Sequence, residues 1–535
     1  LPLIAKQDFA LWPAPDDALW KSAFATAMEP ALRGAWRLAA RNLTELAAKV
    51  GDWPPIWHNI AVLRSWLADT PGAIEAWRKF ATQDVSLDDQ VEAEALAQLL
   101  DAESADLVDL VTVTYPVTDV EGCQARLTAS ARAPQMPIDL SQLGSEDEPP
   151  PKGAWWLVDR EIPASGKDLT FDKAPMIVGH ALLYGKQTDR EARLELVAYR
   201  TELSAAQQTL SDVVGPTIGP AGTEEIESQA AAVQHLLSWN WRLPDDTPLE
   251  KRSELIDAKR ADALLNGWTA QPQKLLDGKS PSQVAGDEKF RLRLLASILL
   301  LELATQQSGS TFDFNSLREK LGLPTLGTID AKAARLADAG LTRLGRIDPQ
   351  SLSDEQLIQF YQAADHFRHI AAIKKLAGEV IARESLDSKL DKAEVYGILA
   401  QIEADTDKAL EYLELARKTA EKNKKSTAPW DLAELALRIT RGDVAEADRL
   451  LTHIRNDHLR EPGVAQALFQ ILHEAGIIGP DGRPTAAAAA AAAQAGGPGI
   501  VVPGAAAAEP GKIWTPGGEQ PAGAKKSGLW TPDMD

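Results

Sequence analysis

The hydrophobic periodicity of this chain changes near residue 105 and changes back near residue 204, and no single-class fold accommodates both changes. Up to residue 104 apolar residues recur at three- and four-residue spacing (Trp20, Phe24, Met28, then Leu32, Trp36 and Leu38), which reads as helix after helix. Val111, Val113, Tyr115 and Val117 then alternate with Thr112 and Thr114, and Cys123, Ala125, Leu127, Ala129 and Ala131 alternate with polar residues. Period two predicts strands over 107–117, 123–132, 154–158, 176–184 and 193–199, in a sheet with one covered face and one wet face. A helix starts near Ser204, and residues 224–330 return to helix, with Leu294–Leu301 as a buried core segment. The chain therefore reads as α+β, mainly α.

At 535 residues the chain is long enough for several domains. The divisions expected are a helical repeat-like domain over 1–104, a strand-rich α+β domain over 105–203, a helical domain over 204–330, a second helical repeat-like domain over 331–478 and a disordered tail over 479–535. Lys and Arg number 56 against 77 Asp and Glu, a net charge of −21, which would repel nucleic acid and anionic membrane surfaces. A single cysteine, Cys123, excludes internal disulfides and multi-cysteine metal sites, and its place in the apolar set makes it buried filler. No apolar run approaches the ~20 residues of a membrane span. Leu1 stands where Met is expected and no leader pattern follows, so the chain reads as processed or trimmed and cytoplasmic, with a tether upstream of Leu1 left open.

The stretch from Trp57 to Phe80 resembles a tetratricopeptide repeat, over residues 54–82. Trp57 and Ala61 match that family's first helix, Asp69 falls in the turn, and Ala73, Trp77 and Phe80 match the second. Small residues at the crossing let two antiparallel helices approach while aromatics fill the flanking grooves. Phe80 departs from the family's small residue, and the closing Pro is absent. Weaker copies run from about 393 to 454: Ala400, Ala409, Leu413 and Ala416 around a short turn at Glu403–Asp407, then Trp430 to Ile454 around Gly442-Asp443, with Ala447, Leu451 and Ile454 on one face. An unrelated helical bundle is the competing reading. Residues 261–301 more faintly resemble the partner-binding segment of ParS-type antitoxins, on Trp268, Pro272, Gly278 and Pro281; Ser280 as N-cap before Pro281 explains that motif structurally. Phe314–Leu323, before Pro324 and a further helix from Ala331, has helix-turn-helix rhythm, but its Arg318 and Lys320 are offset by Asp313 and Glu319, which favours packing over DNA reading.

Chemical motifs are sparse. Gly185-Lys186 lacks the Gly four residues upstream and the Ser or Thr downstream that a phosphate loop needs, and Ser165-Gly166-Lys167-Asp168 fails likewise. Asp365, His366 and His369 place two imidazoles three residues apart on one helical face, without further ligands nearby. The other histidines, His453 and His458 among them, look scattered, and His58 beside Trp57 reads as a surface residue or as facing the repeat groove. Lys418, Lys422, Lys424 and Lys425 complement a helix C-terminus or receive an acidic partner.

The tail repeats an apolar-Trp-Thr-Pro unit, Ile513-Trp514-Thr515-Pro516 and Leu529-Trp530-Thr531-Pro532. Trp is a common interface anchor, and Pro limits the entropy lost on binding. Ile513, Trp514, Pro516, Leu529, Trp530 and Pro532 are therefore the expected partner-binding residues; a clamp on the parent protein is the competing use. The whole points to a non-catalytic scaffold or adaptor for a protein or peptide partner, with no catalytic residues, cofactor or metal expected. A regulatory module related to toxin–antitoxin partners and an enzyme with its site in the strand-rich domain are the alternatives.

Overall fold

The computed structural model describes residues 3–6, 9–144, 149–187, 190–306, 312–331 and 340–485, apart from the side chain of residue 142. These divide at Leu390/Asp391 into two compact units. The first opens with α1 (Lys21–Leu32), α2 (Trp36–Val50), α3 (Pro54–Trp66), α4 (Thr70–Ala81) and α5 (Leu87–Leu100), each packed on the one before it. Short polar turns separate these helices. Asp69 caps α4 by accepting from Gly72 N at 3.3 Å, and Ser86 caps α5 by accepting from Asp89 N at 3.2 Å. Ala61 of α3 and Ala73 of α4 are both wholly buried where the two helices meet, and Ile56, Ile60 and Leu63 fill the same core. Burying each of those large side chains contributes about 1.5–3 kcal/mol.

β1 (Leu107–Pro116), α6 (Val120–Ala129), β2 (Gly153–Val158), β3 (Ile177–Tyr184), β4 (Arg193–Tyr199), α7 (Leu203–Val214) and β5 (Glu224–Ala231) follow. The five strands form one antiparallel sheet in the order β2-β3-β4-β1-β5. β4 alternates buried and half-buried residues, and α6 and α7 cover the face made by Val111, Val113, Leu194 and Leu196.

Two expectations fail here. Residues 123–132 do not form a strand: Asp119 accepts from Gly122 N at 2.9 Å and starts α6, and only Cys123 and Leu127 are buried, one helical turn apart. Ala125 and Ala129 are exposed, so the alternation rested on alanines that pack against nothing and favour helix. Residues 224–231 are the fifth strand rather than a helix. Their Glu-, Gln- and Ala-rich sequence is mostly exposed, but the free edge of β1 pairs with it from Leu107↔Ala231 to Val113↔Glu224 and overrides propensity. Glu224, Glu225 and Glu227 put charge on this edge, which opposes further strand addition.

The first unit continues through α8 (Ala232–Leu236), α9 (Leu249–Asp262), α10 (Glu288–Gln306), α11 (Phe314–Lys320), α12 (Asp354–His366) and α13 (Ile370–Ala382). α10 carries the buried run Leu294–Leu301 and packs on α5. Trp268 is buried in a π-turn, Ala263–Trp268, and Ser280 forms a full capping box with Gln283 over Pro281–Gln283. Arg318 of α11 is buried in an ion pair with Glu302 at 2.6 Å; the helix expected from Ala331 lies outside the described residues.

The second unit comprises α14 (Lys392–Ile402), α15 (Thr406–Lys422), α16 (Ala428–Arg441), α17 (Val444–His453) and α18 (Val464–Glu474). Its hairpins α14–α15 and α16–α17 have buried small residues at the crossings, Ala409 and Ala416 in the first and Ala447 in the second, and Gly442 closes α16 at φ 81°. Trp430 of α16 lies against Gly397 of α14, where a Cβ would come within 2.1 Å of the indole. Residues 479–485, placed in the tail by composition, instead fold back: Gly479 N donates to Arg483 O at 2.7 Å and Thr485 N to Ile477 O at 3.0 Å. No helix among the described residues is long and apolar enough to cross a membrane.

Candidate functional site

The hairpin α3–α4 holds a segment of its own chain. Residues 9–15 have neither helix nor strand structure, so their backbone groups need partners from elsewhere. Asn59, wholly buried on α3, supplies two: its Oδ1 accepts from Trp12 N at 2.7 Å and its Nδ2 donates to Trp12 O at 2.9 Å. One amide side chain thus reproduces the paired bonds that a neighbouring strand would offer.

Around this clamp the aromatics interlock. The Trp12 indole stacks on His58 with centroids 4.3 Å apart, Phe80 meets Trp12 and His58 edge-on at 5.4 Å each, Trp77 meets His58 edge-on at 5.7 Å, and Phe9 lies 5.6 Å from Trp77. Phe80, the departure from the small residue of the repeat pattern, forms one wall of this cage. His58 is consequently not on the surface; it is 6% exposed, and burial pulls its pKa down to about 4. Elsewhere on these helices Trp36 and Trp66 pair at 5.2 Å with 37% and 42% of their surface open to solvent.

The first unit also encloses a cavity of about 150 Å³ lined by Leu87, Leu299, Pro324, Arg343 and His369 among others. Its charges face one another: Arg343 reaches Asp89 at 2.6 Å and Glu92 at 2.8 Å, and Arg346 reaches Asp88 at 2.7 Å. Burial opposes the Arg343 charge, but Glu92 and Asp89 outweigh it and hold the guanidinium proton more tightly than usual. Both arginines are thereby ion-paired and the wall is tied together, which suits a structural seam. Lys259, drawn down to about 8 by burial, donates to Asn240 and lies over the Trp241 ring at 5.3 Å.

Asp365, His366 and His369 do not share a helical face. α12 ends at His366, Arg368 turns the chain at φ 55°, and His369 becomes the buried N-cap of α13, accepting from Ala372 N at 3.4 Å. The structure assembles a different group: Asp431, His453 and His458, whose ligand-type atoms all lie within 4.8 Å of one another. Asp431 is 1% exposed on α16, His453 ends α17, and His458 ends the π-turn Ile454–His458. Sequence reasoning missed this group because residues five apart diverge by about 140° on an α-helix, whereas a turn closed i→i+5 stacks them on one side. Of the basic run, Lys418 pairs with Glu414 at 3.1 Å and Lys425 with Asp391 at 2.6 Å.

The six tail residues expected to bind a partner, Ile513, Trp514, Pro516, Leu529, Trp530 and Pro532, lie outside the described residues. Comparison of the chain with known protein families, with curated proteins and with solved structures returns no match.

Proposed function

We propose that this chain is a non-catalytic protein-binding scaffold whose tetratricopeptide-like hairpins hold irregular peptide segments and whose tail recruits a partner through its two Trp-Thr-Pro units. The observation that carries this reading is the seating of residues 9–15 on α3–α4. A buried Asn bonds both backbone groups of one residue, and an aromatic cage grips that residue's indole. A backbone clamp plus one aromatic pocket is a general way to bind a peptide, because the clamp is indifferent to sequence and the pocket is not. The occupant, Leu11-Trp12-Pro13, has the apolar-Trp-Pro character of the tail units at Ile513–Pro516 and Leu529–Pro532. Two such units on one segment would raise avidity about 100-fold or more on a partner with two sites within its reach.

The test is affinity capture from a lysate of the source, using the full chain, the chain ending at residue 485 and the full chain carrying Trp514→Ala with Trp530→Ala. The scaffold reading expects one stoichiometric partner on the full chain that both altered chains lose, with each single Trp variant retaining part of it. Equal capture by all three chains, or a tail deletion that merely lowers the melting temperature and changes no partner, sinks the recruitment reading.

A further inference from the structure

The second unit brings together three side chains of the metal-ligand type, Asp431, His453 and His458. Asp431 Oδ2 lies 3.6 Å from His453 Nε2 and 3.5 Å from His458 Nε2. Both separations exceed a good N–H···O bond, and both approximate the ~3.3 Å edge of a tetrahedron of ligands about 2.0–2.1 Å from a central zinc ion.

The opposite nitrogens explain what the rings present to one another. His453 Nδ1 faces Asp457 Oδ2 at 2.7 Å, and His458 Nδ1 faces Glu461 Oε1 at 2.6 Å. A carboxylate is satisfied there only by N–H, so each Nδ1 donates outward and Nε2 is the ring nitrogen that faces Asp431. The carboxylate itself is held in place: Thr427 Oγ1 donates to Oδ2 at 2.7 Å, and Arg417 Nη1 stands 3.5 Å from Oδ1. The Thr427 hydroxyl is also 3.1 Å from His458 Nε2. Glu461 is fixed in turn by Ser426, whose hydroxyl donates to its Oε2. A carboxylate behind each imidazole is the customary outer partner of a metal-bound histidine, setting its tautomer and raising its basicity. A π-turn places both rings on the same side, and such turns recur at functional sites.

We propose that Asp431 Oδ2, His453 Nε2 and His458 Nε2 form a binding site for a divalent transition-metal ion of the zinc type. Two imidazoles and one carboxylate are borderline donors that suit zinc over calcium or magnesium. His453 is partly exposed, so the ion enters from that side and keeps water in the fourth position. The ion bridges α16, the end of α17 and the π-turn, and so ties the last hairpin of the unit together. This site is independent of the peptide-binding reading.

The full chain, stripped with chelator and then titrated with Zn²⁺ against a chromophoric competitor, is expected to bind one equivalent. Saturating Zn²⁺ should also raise the unfolding temperature of the second unit. His453→Gln, at a partly open position, should leave the metal-free chain's melting unchanged. It should weaken zinc binding by more than the roughly 10- to 100-fold that loss of an outer partner costs, the range expected for Glu461→Gln. Asp431→Asn should abolish binding, but because Asp431 is buried its folding needs checking by circular dichroism, and His453→Gln carries the decision. Absence of one-equivalent binding, or equal affinity in wild-type and His453→Gln chains, overturns the proposal and leaves the two rings as proton-held partners of Asp431.

Discussion

Replacing His58 by Gln should flatten the acid side of the stability profile of the first unit. The ring is 6% exposed, and burial sets its pKa near 4 against an ordinary 6.5. Because the folded-state value lies below the unfolded one, the unfolded chain binds more protons between those two pH values. The contribution of the neutral ring is therefore fully present above about pH 6.5, is lost progressively as the pH drops toward 4 and is gone below it. At about 1.36 kcal/mol per unit that gap is worth about 3 kcal/mol. Near pH 7 the substitution should instead destabilise the unit by about 1 kcal/mol, because Gln forfeits the 4.3 Å stacking on Trp12. The two chains should thus change order: wild type more stable near pH 7, His58→Gln more stable near pH 4. Urea unfolding followed by indole fluorescence reads the correct unit, since every described Trp except Trp430 belongs to it. Parallel loss of stability in both chains from pH 7 to pH 4 would refute the burial argument. His369, 2% exposed and also drawn to about 4, should behave alike, so the double substitution should remove about twice the acid sensitivity.

Three further outcomes are expected. Ala73→Leu should overpack the α3–α4 crossing and cost about 1–3 kcal/mol; an unchanged melting temperature would remove Ala73 from that crossing. Gly397→Ala sets the added Cβ 2.1 Å from the Trp430 ring, so displacement of the indole should outweigh the roughly 1 kcal/mol gained in helix propensity, with a shifted Trp430 emission; a stabilised chain with unchanged emission would contradict the contact. Cys123, buried under the sheet with its thiol pushed up by burial, should resist a disulfide reagent near pH 8 until urea unfolds the chain, and rapid labelling of the native protein would place it at the surface.

What the sequence disclosed depended on whether a side chain's periodicity reported burial. Leu194, Leu196 and Ala198 alternate with half-buried neighbours, and β4 spans Arg193–Tyr199 as their spacing predicts. Ala61, Ala73 and Trp77 likewise disclosed a hairpin, because small residues at a crossing and a large one beside it are both packing requirements. Residues 123–131 alternate just as cleanly but in alanine, which is apolar without needing burial, and there the Asp119 cap decided for helix. Along 224–231 the missing information was the other partner: an exposed acidic segment has no pattern of its own, and only the unfilled edge of β1 makes it a strand.

The two sites that emerged from the structure escaped the sequence for one shared reason. A periodic pattern locates side chains relative to their own helix or strand, so it cannot place groups that converge through an irregular backbone. Asn59 and His58 lie on a helix whose pattern was read correctly, yet their purpose depends on residues 9–15, which have no period. His453 and His458 also belong to helical sequence, but the π-turn at Ile454–His458 adds the backbone slack that rotates one ring beside the other. Regular elements in this chain supply the rigid walls, and the departures from regularity bring polar and aromatic groups together on them. A functional group in such a fold is therefore best sought where a buried polar residue, such as Asn59 or Asp431, has a partner contributed by a segment that breaks the local period.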